Sequence, residues 1–144
     1  MFNGVLVCEG EGLTKNIGDY IQSIAASQFL ESFDDYVERE KLDTYKKLKD
    51  IRVVMNAWYM HNPENFPPSS YITPLLTSVH IVPTIAERML TESSIAYFKK
   101  HEPIGCRDTA TQELLASKGI KSYFSSCLTL TLGYGYKKFK IDNR

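Results

Sequence analysis

The sequence predicts an α/β fold: a Rossmann-like, mostly parallel sheet with flanking helices. Short apolar, β-branched runs alternate with stretches of helical periodicity, the pattern of βαβ units. The 144 residues suit a single domain over 1–144, a size that buries about 68–70% of the unfolded surface. Hydrophobic residues make up 43% and charged residues 24%, enough for a packed core and too little charge for a disordered chain.

The elements follow in order. Gly4-Val5-Leu6-Val7-Cys8 reads as a buried strand, and Gly10 and Gly12 sit in the polar loop after it. From Gly18 the chain turns helical, with Ile21, Ile24, Ala25, Gln28 and Phe29 at helix spacing. Tyr36-Val37 reads as a short strand, and residues 38–49 as loop or exposed helix. Residues 51–57 form the clearest strand. The prolines between Pro63 and Pro74 exclude a central strand or helix interior there. Residues 75–81 read as the next strand. Pro83 then opens a helix that breaks at Thr91, a fresh N-cap, and runs on to Lys100. Ile104-Gly105-Cys106 is a very short strand. A helix over 109–118 starts at the cap Asp108 and stops at Gly119. Residues 120–124 lead into another strand, and 127–132 into a last strand or turn. Repeats and low-complexity segments are absent from the sequence.

Several function classes are disfavoured. Formal net charge is zero, so bulk electrostatics give no reason to expect nucleic acid, and the basic run Lys137-Lys138-Phe139-Lys140 reads as a solvated tail. Three cysteines without CxxC spacing argue against a disulfide framework or zinc site and fit a reducing, cytoplasmic setting. The start Met1-Phe2-Asn3-Gly4 lacks signal-peptide features, and no apolar run reaches the roughly 20 residues of a membrane span. His61, His80 and His101 share no metal-ligand spacing, so no metal is expected. Gly10 and Gly12 do not complete a GxGxxG fingerprint, and no nicotinamide or other cofactor is implied.

Ligands of open α/β sheets bind beyond the carboxyl ends of the strands. The polar groups expected there are Asn16, Gly18, Asp19, Asn56, Trp58, His80, Arg107 and Ser126. Arg107 is the sharpest candidate. It falls between a strand and a helix N-terminus, where free amides and the helix dipole favour an anion and guanidinium matches phosphate or carboxylate. The alternative is a pairing of Arg107 with Asp108 or another acid. Gly18 allows close backbone approach to a ligand or simple helix packing, and Asp19 is equally a cap or a ligand contact. His80 is open to acid, base or anion-contact roles, or to a partly buried structural one. Trp58 and Tyr59 suit a sugar platform or the core. Cys106 and Cys127 read as small buried hydrophobes.

Several of these segments resemble the polysaccharide pyruvyl transferase family, in its N-terminal half. Residues 16–26, beginning Asn16-Ile17-Gly18-Asp19, resemble its GD-x-x-Q-x-x-A signature. Val54-Met55-Asn56-Ala57-Trp58 is similar to a family strand ending in an Asn-Gly-Trp type sequence, and Phe66-Pro67-Pro68-Ser69 to the loop after it. Cys106-Arg107-Asp108-Thr109-Ala110-Thr111 is similar to an Arg-Asp-x-x-Thr/Ser segment, and residues 125–132 to the stretch ending the first half. The resemblance implies one half of a two-domain, glycosyltransferase-B-like fold. It implies transfer of pyruvyl from phosphoenolpyruvate to two sugar hydroxyls as a cyclic ketal, in surface or exopolysaccharide synthesis. Arg107 would hold the donor, while His80 and Asp19 are the local candidates for acid and base. Family members run considerably longer. This chain is therefore expected to be incomplete as an enzyme alone and to need a second domain or homo-oligomer. The competing readings are a non-catalytic anion- or sugar-binding module and a glycosyltransferase-like nucleotide binder.

Overall fold

The computed structural model describes residues 1–9 and 16–134. The glycine loop at 10–12 and the basic run at 137–140 lie outside the described residues. The chain is α/β with a four-stranded parallel sheet and flanking helices. β1 (Phe2–Val7) leads through α1 (Ile17–Ser27) to β2 (Asp35–Glu38), and β3 (Ile51–Val54) through a prolyl loop to β5 (Ile72–Leu75). The sheet order is β2-β1-β3-β5. Two shorter parallel pairs extend it: β4 (Trp58–Tyr59) with β6 (His80–Ile81), and β7 (Ile104–Cys106) with β8 (Ser122–Phe124). Helices α2 (Pro83–Met89), α3 (Glu92–Lys100) and α4 (Thr109–Ser117) complete the chain. β4 follows β3 and β6 follows β5 after short breaks. A Val79–Cys106 bridge and the bond from Gly105 N to Leu76 O (3.0 Å) join the β5/β6 segment to β7.

Strand alternation separates the faces. Ile51 and Val53 are buried while Arg52 between them is exposed. Ile51, Val53, Val37, Leu42 and Ile72 belong to one core cluster. On α1, Ala25 and Ala26 are buried, and Ser23 Oγ donates to Leu6 O at 2.6 Å, tying the helix to β1. Small residues let that helix approach the sheet closely. Under the second half of the molecule Phe66 stacks on Phe98 (centroids 4.9 Å) and meets Tyr97 and Tyr59 edge-on.

The helix signals hold. Thr91 caps α3 by accepting from Ser94 N, Asp108 caps α4 by accepting from Thr111 N, and Gly119 follows α4 at φ 69°. That left-handed conformation favours glycine.

One expectation needs correction, and two are resolved to one of their alternatives. Residues 38–49 follow the loop alternative, with Glu38 closing β2 and Arg39–Lys41 a 3₁₀ turn whose Arg39 and Glu40 are buried and ion-paired to each other. The strand expected over 75–81 instead ends at Leu75, contains Pro74 and resumes only at His80. Pro74 is tolerated because β5 is the last strand of the four-stranded sheet. Tyr71 and Leu75 turn their carbonyls to β3, so the missing N–H of Pro74 falls on the other side. The closing segment, read as a last strand or turn, is a 3₁₀ turn, Leu128–Thr131.

Candidate functional site

The chain leaves β1 toward β2 on one side and returns to β3 on the other. Such a reversal opens a crevice at the carboxyl ends of the strands. A groove of about 660 Å³ lies at this edge, lined by Asn16, Ile17, Gly18, Asp19, Gln22, Trp58, His61 and Arg107. Five predicted residues, Asn16, Gly18, Asp19, Trp58 and Arg107, thus meet in one place. A second groove, of about 420 Å³, runs over the exposed face of β3 and β5 between Phe29 and Leu75. Its lining mixes apolar side chains with Asn3, Glu31, Arg52 and Thr73, and it holds none of the residues predicted for the site.

Strand register builds the groove wall. Trp58 pairs with His80, and Val79 with Cys106, so the next position aligns His80 with Arg107. Arg107 N donates to Val79 O at 2.8 Å and locks this row. Trp58, His80 and Arg107 are therefore neighbours in register across the carboxyl edge, although only Trp58 and Arg107 of the three line the groove. Arg107 has no ion-pair partner among the described residues. Its sequence neighbour Asp108, the alternative partner, is engaged elsewhere.

Asp108 serves two groups. Oδ1 accepts from Thr111 N at 2.7 Å, and Oδ2 bonds His80 Nδ1. Burial opposes the charge on Asp108, but the Thr111 amide and the His80 ring outweigh it and hold its carboxyl below the usual range. His80 is thereby oriented, and Nε2 remains as its second proton site.

Asp19 is not the α1 cap. Asn16 fills that place, its Oδ1 accepting from Gly18 N at 2.9 Å. Asp19 Oδ1 accepts instead from Arg39 Nη1 at 2.8 Å. Arg39 also donates Nε to Glu40 Oε1 (2.9 Å) and Nη2 to Cys8 Sγ (2.9 Å), and its guanidinium carbon lies 5.3 Å from the Trp58 ring centroid. Burial pushes the Cys8 thiol up to about 11, despite the opposing Arg39 charge.

Asn56 lies beneath the groove, almost wholly buried. Its Nδ2 donates to Gln22 O (2.9 Å) and Gln22 Oε1 (3.2 Å), while Oδ1 has no hydrogen-bond partner among the described residues. Asn56 therefore orients Gln22. Ser126 is used by the backbone: its carbonyl accepts from Ser78 Oγ at 2.8 Å. Ser78 and Ser126 both hold positive φ, 51° and 62°, so this bond joins two strained turns beside the site. Trp58 is half-buried and its ring sits 4.7 Å from that of His61, while Tyr59 belongs to the core.

The two cysteines near the strand ends differ. Cys106 is fully buried, and burial pushes its thiol up to about 11. Cys127 is only partly buried. It accepts from Gln22 Nε2 at 3.1 Å and lies 3.0 Å from Thr129 Oγ1. Burial works against its thiolate, but Thr129, Gln22 and the Arg107 charge outweigh it and hold the thiol below its ordinary value. The expectation of an inert hydrophobe suits Cys106 and not Cys127.

Sequence reasoning missed Gln22, Arg39 and the Asp108–His80 pairing. Arg39 follows β2 directly, so the rule that ligands gather beyond strand carboxyl ends could have found it. Among the described residues no cluster of three or more His, Cys, Asp or Glu could hold a metal, and no helix is long and apolar enough to cross a membrane. Comparison with protein-family models, curated proteins and solved structures found no match.

Proposed function

We propose that the carboxyl-edge groove binds a small anionic donor through Arg107, and that the chain is the donor-binding half of a polysaccharide pyruvyl transferase-like enzyme. The observation that carries this reading is Arg107 in the groove lining, without an ion-pair partner among the described residues, in register with His80 and Trp58. The ligand is phosphoenolpyruvate, whose carboxylate or phosphate suits the guanidinium fork. The acceptor is a sugar, its ring resting on Trp58 and His61.

His80 is the residue for proton transfer. Asp108 holds Nδ1, so Nε2 can take a proton from an attacking sugar hydroxyl or deliver one to the donor's methylene carbon. One hydroxyl adds to the donor's enol carbon as the methylene gains a proton; the second then displaces phosphate there, and its proton leaves with the phosphate as Arg107 offsets the charge. Asp19 is a poorer candidate base, because Arg39 occupies one of its oxygens. The fold is read as one half of a glycosyltransferase-B-like pair. A second domain or a second copy of the chain would close the groove and exclude water. The setting is surface-polysaccharide synthesis on the cytoplasmic side.

A non-catalytic anion- or sugar-binding module is the second reading, favoured by the same Arg39–Asp19 pairing, which engages the one carboxylate that lines the groove among the described residues. Phosphate release from phosphoenolpyruvate in the presence of a sugar acceptor separates the two. The first test is calorimetric titration of the chain with phosphoenolpyruvate. Millimolar or tighter binding, lost in Arg107→Ala, is the expected result. No binding to the unaltered chain would defeat the donor-site assignment.

A further inference from the structure

Arg39 is a charged side chain almost wholly removed from water, at 2% exposure, and it lies behind the groove rather than in its lining. Burying a guanidinium is costly unless each direction of its charge is met. Here it is met by groups from four places in the chain. Nε binds Glu40 Oε1, Nη1 binds Asp19 Oδ1, Nη2 binds Cys8 Sγ, and the cation lies by the Trp58 ring. Cys8 follows β1, Asp19 is in the first turn of α1, Glu40 follows β2, and Trp58 starts β4.

Two of these partners, Asp19 and Trp58, line the groove. A third reaches it indirectly: Glu40 Oε2 accepts from Asn62 N at 2.8 Å, and Asn62 adjoins the groove residue His61. One buried cation thus contacts two of the groove's lining residues and, through Glu40 and Asn62, the neighbour of a third. A structural ion pair alone would need only Glu40 for neutrality. The forked contact to Asp19 and the approach to Trp58 join the start of α1 to the start of β4, two places that otherwise have no reason to share a charge.

We propose that Arg39 is a positioning residue: it sets the directions of Asp19, Trp58 and His61, and so fixes where the uncharged part of a ligand rests while Arg107 holds the anion. This rests on reading the groove as the ligand site. Lysine cannot replace it, because a single ammonium lacks the planar fork that spans Glu40, Asp19 and Cys8 at once.

Trp58 is the chain's one tryptophan, so its fluorescence reports on this contact directly. The experiment compares the full chain with Arg39→Lys and Asp19→Asn. Emission and iodide quenching of Trp58 are read first without ligand, at temperatures where circular dichroism shows each variant folded. The expected result is at least about a twofold rise in the quenching constant for Arg39→Lys, as Trp58 loses its fixed neighbour, and a smaller rise for Asp19→Asn. Phosphoenolpyruvate affinity is expected to fall about tenfold in Arg39→Lys, the scale of one misdirected polar contact. Unchanged quenching in folded Arg39→Lys overturns the proposal. Should that variant fail to fold, unchanged quenching in Asp19→Asn overturns it instead. If the unaltered chain binds no phosphoenolpyruvate, the functional reading fails while the ligand-free quenching still decides the role of Arg39.

Discussion

Asp108 shows how much one side chain can carry. It caps α4 and orients His80, and both partners favour its ionised form. A carboxyl held below its ordinary value stabilises the fold above that value, and the contribution is lost as pH falls through the folded-state value. Asn caps helices about as well as Asp, so Asp108→Asn removes the charge and keeps the cap. The variant is expected to be roughly 0.5–1 kcal/mol less stable near neutral pH, a modest figure because the carboxyl is partly exposed and screened by solvent. The gap should close as pH drops to about 4 and below, the ordinary carboxyl range. Urea melts across pH check this; a gap that is constant with pH would mean that the cap, not the charge, matters. At this scale the sequence was legible where local geometry decides, as with Arg107 and Asp108 flanking a helix start. Arg39 was not legible, since its burial depends on Asp19, Cys8 and Trp58, all distant in sequence.

Helix ends were the most readable elements, because capping is chemistry within a few residues. Thr91 and Asp108 start α3 and α4 as their side chains predict, and Gly119 ends α4 at φ 69°. Gly119→Ala should cost about 1 kcal/mol, since alanine resists that conformation. Open space beside the position, with only Lys99 near its would-be Cβ at 3.6 Å, excludes a steric cause. Denaturant midpoints of the two proteins test this, and an unchanged midpoint would mean that the turn relaxes freely. Strands were less legible. β5 contains Pro74, which reads as a breaker until the sheet order shows that its missing donor faces away from β3. The long apolar runs at 51–57 and 75–81 conceal breaks at residues 55–57 and 76–79, where the chain bends to carry Trp58 and His80 to the site. Periodicity cannot detect a bend that tertiary contacts impose.

Across the whole molecule, the parallel sheet was predictable from alternating strands and helices, whereas the place of the crevice required the strand order. The reversal between β1 and β3 brings together Asn16, Gly18 and Asp19 from α1, Trp58 from β4 and Arg107 after β7. These groups are far apart in sequence and meet only in the folded chain. A ligand bridging them binds the native state and not the unfolded one, so it must raise global stability. At about ten times its dissociation constant, phosphoenolpyruvate should add about 1.4 kcal/mol. For a domain of this size that corresponds to a rise in Tm of about 3–6 °C. Arg107→Ala should show no such rise, and neither should the unaltered chain in sodium chloride of equal ionic strength. A rise that survives in Arg107→Ala would place the anion elsewhere on the molecule. A rise reproduced by salt alone would reduce the effect to screening of surface charge. Either result would separate the groove from the function assigned to it while leaving the fold as described.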